Sequence, residues 1–183
     1  MKPAGLCFTC VLAIVSLSAV AWPEPKQATL YRDTWGVPHI YADTWADAAY
    51  ALGYAQAEDR LEDIYRNVRT AVGTMAAAFG EEFAEQDYYL RVFKNAEVCE
   101  QYWETAPEHI RHMCDNFMRG VEAYVQEHPE KQLDCAVELH GWQCAAIGRT
   151  MLLQWPLGVL QDEVKRKQDA PPFGSNAYAV APS

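Results

Sequence analysis

Apolar residues repeat first with a period of two and then, for most of the chain, with a period of three to four. Residues 29–41 read as extended structure: Leu30-Tyr31-Arg32, a turn at Trp35-Gly36, then Val37-Pro38-His39-Ile40-Tyr41. Thr44 followed by Asp47 makes a capping box, so a helix starts there. Ala48, Leu52, Ala55, Leu61, Ile64, Tyr65, Val68 and Val72 continue it with helical spacing. Its other face carries Glu58, Asp59, Arg60, Glu62, Asp63, Arg66 and Arg69, and reads as solvated. Gly73 and Gly80 bound a short helical piece from Met75 to Phe79. The pattern predicts one aromatic-rich helix from Glu81 to about Trp103. Thr105, Pro107 and Glu108 mark another start, and that helix runs through Ile110, Met113, Phe117, Val121 and Tyr124 to stop before Pro129. A last helix is expected from Gln143 to about Lys167, with Pro156 as its breaking point.

After a breaker-rich connector at residues 168–174, Asn176, Tyr178 and Val180 alternate with Ala177, Ala179 and Ala181 as a strand does. The fold class is therefore an α-rich chain with short terminal strands. A single strand cannot bury itself, so its sheet partners are expected elsewhere.

The other end is processed rather than folded. Lys2, an apolar run from Leu6 to Val15 and Ala19-Val20-Ala21 form a signal peptide over residues 1–21. The apolar run is shorter than the ~20 residues a spanning helix requires, which disfavours a membrane anchor. The exported chain is expected to start near Trp22 and to be periplasmic or secreted, with no membrane association after signal removal. A net charge of -10 over 183 residues, with scattered Lys and Arg, excludes a nucleic-acid partner.

Four cysteines remain beyond the signal: Cys99, Cys114, Cys135 and Cys144. An even number in an oxidising compartment favours disulfides, and the alternative is four unpaired thiols. Cys99 and Cys114 are equidistant from Ala106-Pro107, where a helical hairpin is expected to turn. Cys99–Cys114 is the preferred bridge, leaving Cys135–Cys144 to close a local loop. His109 and His112 share a helical face but lack a third ligand, so no metal site is assigned.

Two segments carry chemistry together. One is Tyr31-Arg32-Asp33-x-x-Gly36-Val37-Pro38-His39-Ile40-Tyr41-Ala42 with Ala51-Leu52-Gly53-Tyr54-Ala55-Gln56-Ala57-Glu58-Asp59-Arg60; the other is Gly174-Ser175-Asn176-Ala177-Tyr178-Ala179-Val180. In this order they resemble the penicillin acylase (penicillin amidase) family of N-terminal-nucleophile hydrolases, from Leu30 to Ser183. The resemblance implies the N-terminal, α-chain part of an αββα Ntn-hydrolase fold, incomplete without its β chain. Residues 22–160 would be the α-chain region, 161–174 a spacer and 175–183 the first strand of the β chain.

The resemblance makes Gly174–Ser175 the self-cleavage site and Ser175 the catalytic nucleophile. The chemistry has its own logic. A serine hydroxyl needs an adjacent base, and a free α-amino group with a reference pKa of ~7.7–8 can be that base only after the peptide bond is cut. Taken alone, Gly-Ser after two prolines is usually a plain linker. The resemblance also implies an acyl pocket partly lined by Met151, Leu153, Trp155 and Leu157, each of which alternatively serves as helix core. Glu163 is the nearest match to the family's calcium-binding acid; no cofactor is required and a structural calcium is left open. His39 and Asp59-Arg60 read as structural.

The implied reaction is hydrolysis of an acyl amide through a Ser175 acyl-enzyme, with β-lactam side chains, acyl-homoserine lactones and lipopeptides as substrate classes. The partners are the chain's own β chain and a small-molecule amide. A chain stopping nine residues into the β chain is expected to be inactive alone. The competing readings are a truncated, non-catalytic remnant and an exported, disulfide-stapled helical binding domain.

Overall fold

The computed structural model describes residues 28–165, with the side chains of Leu157 and of residues 160–165 outside that description. The expected signal peptide, the 168–174 connector, the Gly174–Ser175 bond and the terminal strand all lie outside the described residues.

Strands β1 (Ala28–Arg32) and β2 (Pro38–Ala42) form an antiparallel hairpin in which Leu30 faces Ile40 and Tyr31 faces His39. The turn is shaped by Asp33, whose Oδ1 accepts from the Trp35 and Val37 backbone N–H groups, both at 2.9 Å. Gly36 supplies the positive φ of 80° that the turn needs. Strand alternation turns Leu30 and Ile40 inward and leaves Thr29, Tyr31, His39 and Tyr41 exposed. Arg32 ties the hairpin to the following helix, donating to Glu58 at 2.6 Å and to Asp59 at 3.1 Å.

Helix α1 (Trp45–Val72) starts where the capping box places it: the Thr44 hydroxyl accepts from Asp47 N–H at 3.1 Å and donates to Asp47 Oδ2 at 2.7 Å. It kinks at Arg60 and ends at Gly73 in the left-handed conformation. Its apolar face lies across α5 (Glu108–Glu127), and the core forms there around Leu61, Ile64, Tyr65, Val68, Met118, Val121 and Tyr124. The crossing is close because each helix offers a glycine. A methyl group on Gly53 would overlap the Phe117 carbonyl, and one on Gly120 would overlap the Tyr50 carbonyl.

Several expectations change. The single helix over 81–103 is a short 3-10 turn followed by α3 (Ala84–Val92) and α4 (Asn95–Gln101). The break is at Lys94, which adopts φ 51°, and is fixed by the fully buried Asn95. The Asn95 amide reaches Ala71 O at 2.8 Å, Ala146 O at 3.0 Å and Thr150 Oγ1 at 3.0 Å. Thr105 does not cap α5; its hydroxyl bonds back to Tyr102 O, and α5 begins after Pro107. Nor do α4 and α5 pair as a hairpin, because α4 packs on α6 (Trp142–Lys165) while α5 packs on α1.

Not all of the charged face of α1 is solvated. Arg69 turns inward and donates to Cys135 O at 2.7 Å and Ala136 O at 2.9 Å, pinning the loop before α6. Arg66 lies over the Phe79 ring at 4.0 Å. Asp87 on α3 accepts from Met75 and Ala76 N–H at 3.0 and 2.8 Å, which starts α2 (Ala76–Phe79) without a local cap. Helix α6 runs through Pro156 to Lys165 without ending there.

Candidate functional site

Helix α6 has two unlike halves. Its first turns are anchored: Gln143, Ala146 and Thr150 are buried, and Arg149 donates to Asn95 Oδ1 at 2.9 Å. Beyond Thr150 the same helix stands clear of the described chain. Met151 is 68%, Leu152 79% and Trp155 80% exposed, and Val159 is also exposed. Met151, Trp155 and Val159 follow at four-residue steps, so they form one apolar stripe along the helix. The outer face of the hairpin and its flanks add Tyr31, Trp35, Tyr41 and Trp45, all exposed.

Of the residues expected to line an acyl pocket, Met151 and Trp155 therefore share one exposed face. Leu153 is half-buried on another face of α6, and the Leu157 side chain lies outside the described residues. Glu163 falls on the last described turn, again with its side chain outside the description. Gly174 and Ser175 lie beyond it. Among the described residues no cluster of three or more His, Cys, Asp or Glu side chains is arranged to hold a metal ion. Among the same residues no helix is long and apolar enough to cross a membrane.

Beside the α1 kink lies a cleft of about 660 Å³ lined by Asp59, Arg60, Asp63, Thr70, Met75 and Phe83, among others. Its lining is mainly polar and charged, with Asp59, Arg60, Asp63 and Arg66 beside Thr70. His39 and Asp33 meet at 3.2 Å on the hairpin, and that hydrogen bond, with those from the turn backbone, holds the Asp33 carboxyl below its usual range. The pair serves the turn. Tyr54 donates to Glu127 Oε2 at 2.7 Å; that bond, together with burial, pushes the phenol up to about 12. It stays protonated and ties α1 to the end of α5.

Among the described residues, Cys99, Cys114, Cys135 and Cys144 are all free thiols. Cys99 lies near Arg149 on α6, and its thiol is pushed up by burial. Cys114 instead meets Cys144, within hydrogen-bonding reach across the α5–α6 contact. The Cys99–Cys114 bridge fails with the hairpin it assumed, since α4 and α5 find different partners.

Sequence reasoning missed Asn95, Arg69, Asp87 and the Gly53–Gly120 notch. Gly53 and Gly120 left a signal, each as a glycine inside a predicted helix. The other three act over long sequence separations that local patterns do not encode.

Residues 27–183 match the family model described as penicillin amidase, and the chain belongs to that family. It is 37% identical over 94 residues to a penicillin acylase 2 proenzyme from a Pseudomonas strain, covering 51% of this chain and 12% of that protein. It is 30% identical over 145 residues to acyl-homoserine lactone acylase PvdQ of Pseudomonas savastanoi pv. phaseolicola, covering 74% and 18%. Against penicillin G acylase of Escherichia coli the identity is 39% over 77 residues, covering 42% and 9%. The chain thus spans less than a fifth of these relatives. In fold it resembles a chain of a thermostable penicillin G acylase from Alcaligenes faecalis, with a TM-score of 0.58 at 22% identity. That match covers 83% of this chain and 98% of the other, and places the helix-rich architecture and its small sheet in the acylase fold.

Proposed function

We propose that this chain is the N-terminal, α-chain region of an exported acylase precursor that cuts itself at Gly174–Ser175 and hydrolyses acyl amides through Ser175. The observation that carries the reading is the reach of the family match, which continues through residue 183 and so across that bond. Two others support it. The solved acylase chain is covered over 98% of its length, whereas the curated relatives are covered over 9% to 18%, as expected if this region ends as a chain of its own. The apolar stripe of α6 is also the kind of surface that a further part of the same protein covers.

The steps follow from the groups involved. Cleavage frees the Ser175 α-amine. That amine takes the proton from Ser175 Oγ as the oxygen attacks the amide carbonyl, and returns it to the departing amine. Water, activated by the same amine, then releases the acid. Donors for the oxyanion belong to the β chain, and one such donor is worth ~10²–10³ in rate. Met151 and Trp155, exposed on one face of α6, are the side chains this reading assigns to the acyl group. The names of the relatives point to β-lactam side chains and acyl-homoserine lactones as the amides to try first. Calcium is no part of the proposal.

Intact mass of the protein produced from its native reading frame tests this. Two chains are expected, one beginning at Ser175, and Ser175→Ala is expected to leave the precursor uncut and inactive. A wild-type product that stays uncut overturns the reading.

A further inference from the structure

Cys114 sits on the second turn of α5 and Cys144 on the first turn of α6, with their thiols in hydrogen-bonding reach. A contact between their flanking residues brings the two helices together at this point. One residue beyond Cys114, the Asp115 carboxylate accepts from Gly141 N–H, three residues before Cys144. The approach is so close that a methyl on Gly141 would overlap that carboxylate. Cys144 also packs on the core. It lines an opening of about 270 Å³ with Gln56, Ile64, Phe117 and Ile147, and neither Cys114 nor Cys144 is fully buried.

We propose that Cys114 and Cys144 form a disulfide that fastens α5 to the root of α6 when the protein meets a disulfide-bearing oxidant such as oxidised glutathione. The roles of the two thiols differ. Accepting the hydrogen bond from Cys144 lowers the Cys114 thiol, outweighing burial and the nearby Asp115 charge. Donating that bond, together with burial, pushes Cys144 up. Cys114 is therefore the attacking thiolate. It bonds to one sulfur of the donor and breaks the donor's S–S bond, releasing one thiolate. Cys144 then loses its proton and attacks the Cys114 sulfur, expelling the second donor thiolate. The two thiol protons end on the two released thiols, so the protein is oxidised by two electrons and the donor reduced by two. The bridge fixes the anchored half of α6, and with it the direction of the stripe bearing Met151 and Trp155.

The test is non-reducing peptide mapping of the purified protein after incubation with oxidised glutathione, which does not depend on the route of export or on activity. Trypsin separates residues 112–119, holding Cys114, from 132–149, holding Cys135 and Cys144. The wild type should give these two peptides linked, with the bond assigned to Cys144 by fragmentation. Cys135→Ser and Cys99→Ser should retain the link, whereas Cys144→Ser should lose it. A Cys99–Cys114 or Cys135–Cys144 link in the wild type, or four free thiols after oxidation, overturns the proposal without recourse to any variant's folding.

Discussion

The α1–α5 crossing and the outer half of α6 are both apolar helix surfaces, yet one is closed and the other is bare. At the crossing, Gly53 and Gly120 let two backbones touch, and Val68 and Val121 lose all contact with water. On α6, Leu152 and Trp155 keep about four-fifths of their surface exposed. Composition does not distinguish them, since a stripe at four-residue spacing reads identically in both. Whether a facing element exists among the described residues is what separates them. An apolar stripe reports that a partner is required; it does not report where in the chain that partner lies.

The sharpest way to break this contrast is to spoil the closed side. Gly120→Ala drives a methyl into the Tyr50 carbonyl, and no side-chain rotation relieves a clash with backbone. A loss of about 3 kcal/mol or more is expected in urea titrations, with the Tyr54–Glu127 bond lost as the helices part. The bare side gives a smaller, conditional effect. Trp155→Ala in the whole protein should cost about 3 kcal/mol if the stripe is covered there, as proposed, and within about 0.5 kcal/mol if it stays in water. Thermal unfolding of the whole protein separates the two outcomes.

The smallest effect probes a charge beside the core. Burial raises the Glu122 carboxyl above its ordinary value, which means the folded state binds that proton more tightly than the unfolded state. Its ionisation therefore destabilises the fold as pH rises through the raised value, and the penalty is absent in acid. Glu122→Gln should raise the unfolding midpoint modestly at neutral pH and leave it unchanged near pH 3. A midpoint that rises equally at both would assign the effect to packing.

Elements governed by neighbours were legible in the sequence. The hairpin, the Thr44 cap, the Gly73 stop and the stop before Pro129 all follow from residues within one turn. The break at Lys94 was not legible, because its cause is an asparagine reaching carbonyls 24 and 51 residues away. Arg69 illustrates the same limit. Its place in a charge run suggested solvent, but carbonyls at Cys135 and Ala136 claim it. The thiol pairing depended on which helices touch, a tertiary fact. Of the candidate site, Met151, Leu153 and Trp155 could be placed, with only the first and last sharing a face, and the expected nucleophile lies beyond the described helix.

The Tyr54–Glu127 bond joins residues 73 positions apart. The long central helix is synthesised first, but the face that gives it stability has nothing to lie against until α5 has been made. The N-terminal part of the chain is thus committed by its topology to a delayed start in folding, and closing so wide a loop makes the step slow even afterwards.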